Sequence, residues 1–450
     1  MITRIEVDGF KSLSEFRLDL NKGINILVGP NGAGKTNIIL FFEFLSKLIK
    51  NQVGYAVSCV GGAGSIFKKI GDDKYQDFIE FRIYGSEMVD KNKSIIYEYY
   101  SKINNSFEKD NIYFSKQEIK IQIDKKFCNN PDDINVKKEW DLHVRYENNG
   151  GEKGEVFIDK INQNKIKSRF FHTKDDTKIN FEERIKEYIN SNNPSHNTII
   201  SSLFIITDYV VAISSDLVCG ESFNIIPSKV KEQEDAATPP GIKKDGSGLA
   251  TTLYAMKTNK IKQNNDRISF VIFDSHEKTY EVDTLKKIIS YLKLANKTIY
   301  NLDVINDPFD NRLIVKIYIR TGDYEAVLPL SSMSDGTIKW LTLISAILTS
   351  KTIFSIEEPE NFLHPWMQAE IVSIMREHIE GKKRPSFVLM TTHSESLLNH
   401  SKPEEIIIVS LLDGKTIAKR IENVQIIKDE ISNSGNGLGY FYFSNSLQDD

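Results

Sequence analysis

Hydrophobic and polar residues alternate in short blocks at the start of the chain and then give way to a helical spacing. Residues 2–7 and 16–20 alternate apolar with polar side chains, which predicts two antiparallel strands. Residues 24–28 form a short, β-branched apolar run that predicts a buried strand. Residues 37–50 carry apolar side chains three and four positions apart and predict an amphipathic helix. A glycine-rich stretch separates this strand from the helix.

The rest of the chain continues to mix the two periodicities. Further strands are predicted at residues 78–84, 94–100, 118–123, 313–318, 352–356 and 386–390. Helices are predicted at residues 181–189, 199–213, 245–257, 283–294, 338–348 and 367–379. The aromatic run at residues 440–443 predicts a final strand on the core, with a partner-docking patch as the alternative. This mixture indicates an α/β fold.

Changes in composition divide the chain into three predicted segments. Residues 1–90 contain the first strand, loop and helix and form an N-terminal lobe. Residues 91–230 are richer in Lys, Asn and Asp and are expected to form an inserted α+β segment. Residues 231–450 form a C-terminal lobe with a second block of motifs, after a break at 239–241. A chain of 450 residues has room for these units.

Composition and charge narrow the class of protein. Hydrophobic residues make up 40% of the chain and charged residues 27%, which is ordinary for a soluble protein. The three cysteines are isolated, and no apolar run approaches the roughly 20 residues that a membrane span requires. We therefore expect a cytoplasmic protein without membrane association. The net charge of −4 gives no indication of nucleic-acid binding by the chain as a whole, and it leaves open binding through a local basic groove.

The glycine-rich stretch at residues 29–36, GPNGAGKT, matches the phosphate-binding pattern G-x-x-x-x-G-K-[ST]. Glycines let the backbone turn its N–H groups toward a phosphate at the start of a helix. Lys35 is expected to reach the β- and γ-phosphates, and the Thr36 hydroxyl to bind Mg²⁺. The chain is therefore predicted to bind a nucleoside triphosphate. The expected contacts are Gly29, Asn31, Gly32, Ala33, Gly34, Lys35, Thr36 and Asn37.

Three polar clusters follow in the last third of the chain. Ser334 and Gly336 precede an apolar helix, where a hydroxyl and free N–H groups suit an anion; a plain helix N-cap is the alternative. Glu357 and Glu358 end a buried strand, as in a Walker B motif, although the first residue there is usually Asp. Glu357 is expected to hold the Mg²⁺ shell and Glu358 to polarise the attacking water. His393 ends another strand and is expected to hydrogen-bond the γ-phosphate, with a structural histidine as the alternative.

In this order, the motifs resemble those of the ATP-binding-cassette (ABC) head ATPases of the RecF, SMC and OLD group, often labelled AAA-type. The resemblance is carried by IEVDGFKS at residues 5–12, the phosphate loop, MSDGT at 333–337, EEPENFLHP at 357–365 and TTHSES at 391–396. It implies an ABC-type P-loop fold with an antiparallel β subdomain. It also implies ATP and Mg²⁺ as cofactors, with ATP hydrolysis by Glu357, Glu358 and His393. In such heads, Ser334 and Gly336 contact ATP held by another copy, which implies a homodimer or a larger homo-oligomer.

The sequence departs from this group in two respects. The glutamine of the family's Q-loop is not identified, and Gln52 and Gln76 are the candidates. OLD nucleases continue into a Toprim domain, whereas little chain follows the His393 strand, so we expect no nuclease domain here. The chain thereby resembles the ATPase subunits of two-gene phage-defence systems such as Septu and PARIS, in which a separate partner supplies the nuclease or toxin. A RecF-like DNA-repair ATPase that binds DNA directly is the alternative.

Overall fold

The computed structural model describes residues 1–72, 74–90, 93–106, 111–124, 139–148, 154–166, 181–204, 207–218, 220–258, 281–350, 353–382 and 385–444. These residues form a seven-stranded antiparallel sheet, a six-stranded mostly parallel sheet and two smaller sheets, with helices packed against them. None of their helices combines the length and the apolar character that are needed to cross a bilayer.

Strands and helices alternate irregularly along the described residues. The strands are β1 Ile2–Asp8, β2 Phe16–Asp19, β3 Gly23–Val28, β4 Lys69–Gly71, β5 Lys74–Tyr75, β6 Phe78–Asp90, β7 Lys93–Ser106, β8 Asn111–Asp124, β9 Leu142–Glu147, β10 Glu155–Ile161, β11 Glu221–Phe223, β12 Glu234–Asp235, β13 Ile299–Asp307, β14 Arg312–Thr321, β15 Tyr324–Pro329, β16 Ile353–Glu357, β17 Phe387–Thr391, β18 Ile406–Leu412 and β19 Lys415–Arg420. The helices are α1 Lys35–Lys50, α2 Val53–Cys59, α3 Ala63–Ile66, α4 Phe181–Ser191, α5 Ile199–Leu203, α6 Asp208–Val218, α7 Pro227–Val230, α8 Leu249–Thr258, α9 Val282–Ala295, α10 Asp335–Thr349, α11 Pro365–Glu380, α12 Glu395–Asn399, α13 Val424–Ser434 and α14 Leu438–Phe443.

The antiparallel sheet is a continuous meander that begins with the predicted N-terminal hairpin. Its strand order is β10-β9-β8-β7-β6-β1-β2, and β1 pairs with β2 so that Ile5 lies opposite Leu18. The predicted strands at 78–84, 94–100 and 118–123 are confirmed and are longer than predicted. Their inner faces are apolar, whereas polar and charged residues at the other positions hide the full strand length from a search for apolar runs.

The mostly parallel sheet holds the strands that precede the predicted functional motifs. Its strand order is β11-β16-β17-β3-β18-β19. The first five strands in this order are parallel to one another, and β19 pairs antiparallel with β18. A smaller antiparallel sheet joins β13, β14 and β15, with β12 at one end of β14. The strand β3 therefore lies inside the parallel sheet, between strands from the last quarter of the chain.

Two hydrophobic clusters cover the two faces of the parallel sheet. In β17, Phe387 and Leu389 face the cluster that includes α1, α6 and the antiparallel sheet. Val388 and Met390 face the cluster that includes α8 to α11. A strand that is buried on both faces loses the apolar–polar alternation and becomes a continuous apolar run, which is the pattern that the sequence shows at β3, β16 and β17.

Two predicted elements differ from the structure. Residues 440–443 lie in the helix α14 and not in a strand, so that prediction was wrong. Gly437 and Gly439 lie close to Asn399 and Glu395 of α12, and the Gly439 N–H donates to Oδ1 of Asn399 at 2.8 Å. This tertiary packing outweighs the strand preference of the aromatic run. The helix predicted at 199–213 is two described helices, α5 and α6, and residues 205–206 lie outside the described ranges.

The strand pairing also crosses the predicted segment boundary at residue 90. Strands β6 and β7, on either side of that boundary, pair from Phe78 opposite Asn104 to Asp90 opposite Lys93. At the other end of the middle segment, β11 joins the parallel sheet beside β16. Residues 91–230 therefore contribute strands to both sheets.

His378 on α11 is a partly buried group whose ionisation should make the fold sensitive to acid. Burial, with a smaller contribution from Lys382 and Lys287, lowers the pKa of His378 from 6.5 to about 3. Between these values the unfolded chain binds the proton and the folded chain does not, so this contribution to stability is complete above pH 6.5 and is lost as the pH falls toward 3.

We expect the urea-measured free energy of unfolding to fall more steeply in the wild type than in His378→Leu over this pH range. The difference in slope should reach up to about 1.4 kcal/mol per pH unit, the value for one proton. Equal slopes in the two proteins would contradict this interpretation of His378.

Candidate active site

The candidate site lies where three neighbouring parallel strands end. Strand β17 lies between β16 and β3, and its Thr391 is in register with Glu357 on one side and Leu27 on the other. The phosphate loop follows β3, Glu357 ends β16, and His393 follows β17. Because parallel strands end at the same edge of a sheet, these distant parts of the sequence meet there.

The phosphate loop requires glycine at two positions for steric reasons. A Cβ atom at Gly29 would overlap the carbonyl oxygen of Val409 on β18. Gly34 has a φ of +100°, and a Cβ atom there would overlap the hydroxyl of Thr416 on β19. The loop therefore passes directly against the C-terminal hairpin β18–β19, with no room for side chains at these positions.

A small polar network fixes the loop against that hairpin. The Thr416 hydroxyl donates to the carbonyl oxygen of Ala33 at 3.0 Å and lies 2.6 Å from the Ser12 hydroxyl. The Asn37 amide donates to the same Ser12 hydroxyl at 2.8 Å. Ser12 belongs to the N-terminal motif that the sequence singled out, whereas Thr416 sits in an ordinary charged strand and gave no signal.

Lys35 is buried under the loop. Its Nζ donates to the carbonyl oxygens of Gly29 at 2.7 Å and Pro30 at 3.1 Å. Burial lowers the pKa of Lys35, while the carboxylates of Glu358 and Glu360 act to raise it. The ammonium therefore interacts electrostatically with the carboxylates of Glu358 and Glu360 as well as with the loop.

The two predicted Mg²⁺ ligands, Thr36 and Glu357, lie at the same edge of the sheet, where β3 and β16 flank β17. The Glu357 carboxylate is buried. Burial raises the pKa of Glu357, and the Lys244 ammonium and the Thr36 hydroxyl oppose the shift. The Lys244 Nζ lies 3.9 Å from Oε1 of Glu357 and 2.9 Å from Oε2 of Glu43. A hydroxyl next to a carboxylate offers the oxygen ligands that Mg²⁺ prefers.

Glu358 is held in a left-handed backbone conformation, with a φ of +43°. Its N–H donates to the carbonyl oxygen of Thr391 at 3.1 Å, and its carbonyl oxygen accepts from Nζ of Lys339 at 3.0 Å. Its side-chain Oε2 accepts from the Asn361 amide at 2.9 Å. A non-glycine residue in this region is strained and persists only when its surroundings enforce it, which these three contacts do.

His393 is tied to the loop after β16 through a carboxylate that the sequence did not single out. Oε1 of Glu360 accepts from the His393 N–H at 2.7 Å and from the Thr392 hydroxyl at 2.8 Å. Within the described residues, Nε2 of His393 and Oε2 of Glu360 are buried and have no hydrogen-bond partner. Two such atoms at one site point to a polar ligand.

Ser334 lies at the N-terminus of α10. It is exposed and caps α10, with its hydroxyl oxygen accepting from the Thr337 N–H at 3.3 Å. The structure thus confirms the N-cap, while the γ-phosphate contact stays a prediction. Gly336 lies against the loop after β16, where a Cβ atom would be 2.7 Å from the carbonyl oxygen of Phe362. Among the described hydrogen bonds and ion pairs, none joins Ser334 or Gly336 to residues 29–37.

The two candidates for the Q-loop glutamine, Gln52 and Gln76, make their described contacts with residues outside the phosphate loop and the Glu357–Glu358 strand end. Nε2 of Gln76 donates to Oδ2 of Asp8 at 3.0 Å, and Gln52 is the N-cap residue of α2. The residue that lies beside Glu357 on the neighbouring strand end is Asn224. It follows Phe223, which pairs with Ile356, the residue before Glu357. The Asn224 N–H donates to the carbonyl oxygen of Lys244 at 2.7 Å.

The residues at this strand edge fit ATP with Mg²⁺. Asn31, Gly32 and Thr36 are exposed along the loop, above the buried Lys35. Thr36 and Glu357 are the residues that would hold the metal, which supplies positive charge to the phosphate oxygens when it is bound. The unpaired atoms of His393 and Glu360 offer polar contacts beside the carboxylates.

Comparisons with known families match the two motif blocks separately. The family described as "AAA domain, putative AbiEii toxin, Type IV TA system" matches residues 230–399, and a second AAA-domain family matches residues 4–46. The DNA double-strand break repair Rad50 ATPase of Methanopyrus kandleri is 46% identical over 39 residues, which are 9% of this chain and 4% of that protein. These matches support an ATPase of this broad class.

Among solved structures, this chain is similar to SMC head domains. An SMC head bound to the C-terminal winged-helix domain of ScpA is 13% identical, with a TM-score of 0.47 over 94% of this chain and 99% of that chain. An SMC head with an extended coiled coil from Pyrococcus furiosus, bound to the C-terminal domain of ScpA, is 14% identical. Its TM-score is 0.45 over 96% of this chain and 99% of that chain.

We expect Lys35→Ala to weaken ATP binding by about 10- to 100-fold, because a charge-assisted hydrogen bond contributes roughly 1.5–3 kcal/mol. Titration with a fluorescent ATP analogue measures the affinity. Lys47→Ala, at the far end of the same helix, is the matched control and should bind like the wild type. Undiminished affinity in Lys35→Ala would show that the nucleotide is not held by this loop.

Proposed function

We propose that this chain is an ATP-hydrolysing ABC-type head that associates with a second copy around ATP and thereby controls a separate effector protein. In this proposal, residues 29–37, Glu357, Glu358 and His393 form one half of each ATP site. Ser334 and Gly336 of the other copy form the second half. Mg²⁺ is the metal, and Glu358 is the general base that activates water.

The observation that carries this proposal is that the phosphate loop and the Glu357 strand end meet at one edge of the sheet. Strands β3 and β16 flank β17, and the Thr36 hydroxyl stabilises the charged form of the buried Glu357 carboxylate. Glu358 and His393 lie at the same strand edge, and Lys35 interacts with the carboxylate of Glu358. One edge of the sheet therefore holds a phosphate-binding loop, a metal-binding pair and a candidate base.

The participation of a second copy is supported by the position of Ser334. It is exposed at the N-terminus of the fifteen-residue helix α10, where N–H groups and the helix dipole favour an anion. No described hydrogen bond or ion pair brings it to the phosphate loop of its own chain. If ATP binds the closed pair more tightly than the open chain, ATP shifts the equilibrium toward association.

The proposal that this chain controls an effector protein is supported by its similarity to other proteins. The family that matches residues 230–399 is described in terms of a toxin system. The chain also resembles the ATPase subunits of two-gene phage-defence systems, which act through a nuclease or toxin partner. We place this chain in that functional class, as an ATP-driven switch in anti-phage defence.

Glu358→Gln should retain ATP binding and slow hydrolysis by about 10²- to 10³-fold, within the range for general bases. Because the trapped pair cannot proceed through hydrolysis, ATP should drive this variant into a stable dimer or larger oligomer, measured by sedimentation velocity. Glu370→Gln, on α11 away from the strand edge, is the control. Hydrolysis at the wild-type rate by Glu358→Gln would show that Glu358 is not the general base. If this variant stays monomeric under saturating ATP, the proposal that two copies share the ATP site is wrong.

DNA binding is the second candidate function, and the 39-residue similarity to a DNA-repair ATPase favours it. A sensor for a protein effector should bind duplex DNA only weakly at physiological salt. A DNA-repair head should bind it tightly, with an affinity that falls steeply as salt rises. Fluorescence anisotropy with labelled duplex, at several salt concentrations and with and without ATP, distinguishes the two. Tight, salt-dependent binding would replace the effector hypothesis.

A further inference from the structure

We propose that Lys339 and Glu360 are positioning residues that connect the start of α10 to Glu358 and His393 within one protomer. Through them, engagement of Ser334 by a second copy sets the geometry of the catalytic groups in the same chain. This inference rests on the two-copy site proposed above, and it assigns the internal connection between its two halves.

Lys339 is an unusual lysine because its side chain is almost completely buried. Only 1% of its surface is exposed, and its Nζ donates to the carbonyl oxygen of Glu358 at 3.0 Å. Burial lowers the pKa of Lys339 to about 8, while Glu360 and Glu358 act to raise it. A buried ammonium is costly unless charged or polar groups surround it, so the carboxylates of this loop stabilise it.

Glu360 connects the same loop to His393. Its Oε1 accepts from the His393 N–H and the Thr392 hydroxyl, at 2.7 and 2.8 Å. It is also the first carboxylate to oppose the lowered pKa of Lys339. The two residues therefore hold the loop after β16 at two points: Lys339 at the carbonyl oxygen of Glu358, and Glu360 through its hydrogen bonds to Thr392 and His393.

The start of α10 touches this loop at a second point. The carbonyl oxygen of Phe362 lies where a Cβ atom at Gly336 would be 2.7 Å away, so the helix and the loop are in close contact. Both Glu358 and Phe362 have left-handed backbone conformations, with φ of +43° and +66°. Such conformations depend on the surrounding contacts, and here α10 supplies contacts to both residues.

This arrangement makes the cap residue and the buried lysine parts of one rigid element. Ser334 caps α10 and Lys339 lies in its second turn, while the rest of the helix is buried in the core. A shift of the helix start on closure therefore moves the ammonium relative to the Glu358 carbonyl. This connection acts on the geometry of the catalytic groups and therefore on kcat, for which an equal effect on the affinity for the second copy is not required.

The proposal is tested with Lys339→Met, Lys339→Arg and Glu360→Gln in the full chain. Lys257→Met is the matched control, because Nζ of Lys257 also donates to a backbone carbonyl, that of Val304 at 2.8 Å, but is exposed and remote from the site. ATP affinity, kcat and KM are measured for each variant. ATP-driven association is measured for each in the Glu358→Gln background.

We expect Lys339→Met and Glu360→Gln to bind ATP and to associate within about threefold of the parent, and to lose about 10- to 100-fold in kcat. In the wild type, the rate per chain should rise with protein concentration as the pair forms. In these variants association should persist without that rise. Lys339→Arg should recover most of kcat, because it keeps a buried donor and charge, and Lys257→Met should match the wild type.

Two results would overturn the inference. One is a wild-type kcat in both Lys339→Met and Glu360→Gln. The other is a loss of kcat that only follows a loss of ATP binding or association, which indicates a purely structural role. If Lys339→Met fails to fold, Glu360→Gln and Lys339→Arg decide by the same criteria. Failure of Glu358→Gln itself to associate with ATP would instead refute the two-copy site.

Discussion

The site depends on the strand order β16-β17-β3 within a parallel sheet. Thr391 of β17 connects the three strands. It is in register with both Glu357 and Leu27, and its carbonyl oxygen accepts a hydrogen bond from the N–H of Glu358. Hydrophobic clusters on both faces hold these strands in place, so the motifs gather at one edge without any bond between their own side chains being required. The effect of Thr36 on the pKa of Glu357, and the contacts of Lys35 with the loop, are consequences of that order.

Much of the local structure could be predicted from the sequence. The hairpin β1–β2, the strand before the phosphate loop, the helix α1 and the strands before Glu357 and His393 all have clear periodicity and clear boundaries. Strand order could not be predicted, because parallel strands pair across long stretches of chain that carry no local signal of their partner. The helix at residues 438–443 was missed for a related reason, since its conformation follows from close packing of two glycines on α12.

Three of the residues that the sequence missed act on the motifs from outside them. Thr416 supports the phosphate loop from β19, Lys244 lies beside Glu357, and Lys339 contacts the carbonyl of Glu358 from α10. Each is a common residue type in an unremarkable local context. Their roles depend only on tertiary contacts. The glycines, the lysine and the paired acids of the motifs, by contrast, occur at a fixed spacing that can be recognised in the sequence.

The contact between Thr416 and the phosphate loop has a consequence for how the protein is made. Thr416 and Ala33 are 383 residues apart, and both sheet neighbours of β3, β17 and β18, belong to the last quarter of the chain. At about 5–20 residues per second, a ribosome needs roughly 20–80 s to span that distance. During this time β3 has no partner strand, and its side chains Ile24, Ile26 and Val28 lack the later residues that cover them in the folded protein. The nucleotide loop is thus synthesised early and assembled late, and the emerging chain needs protection from aggregation until its C-terminal strands arrive.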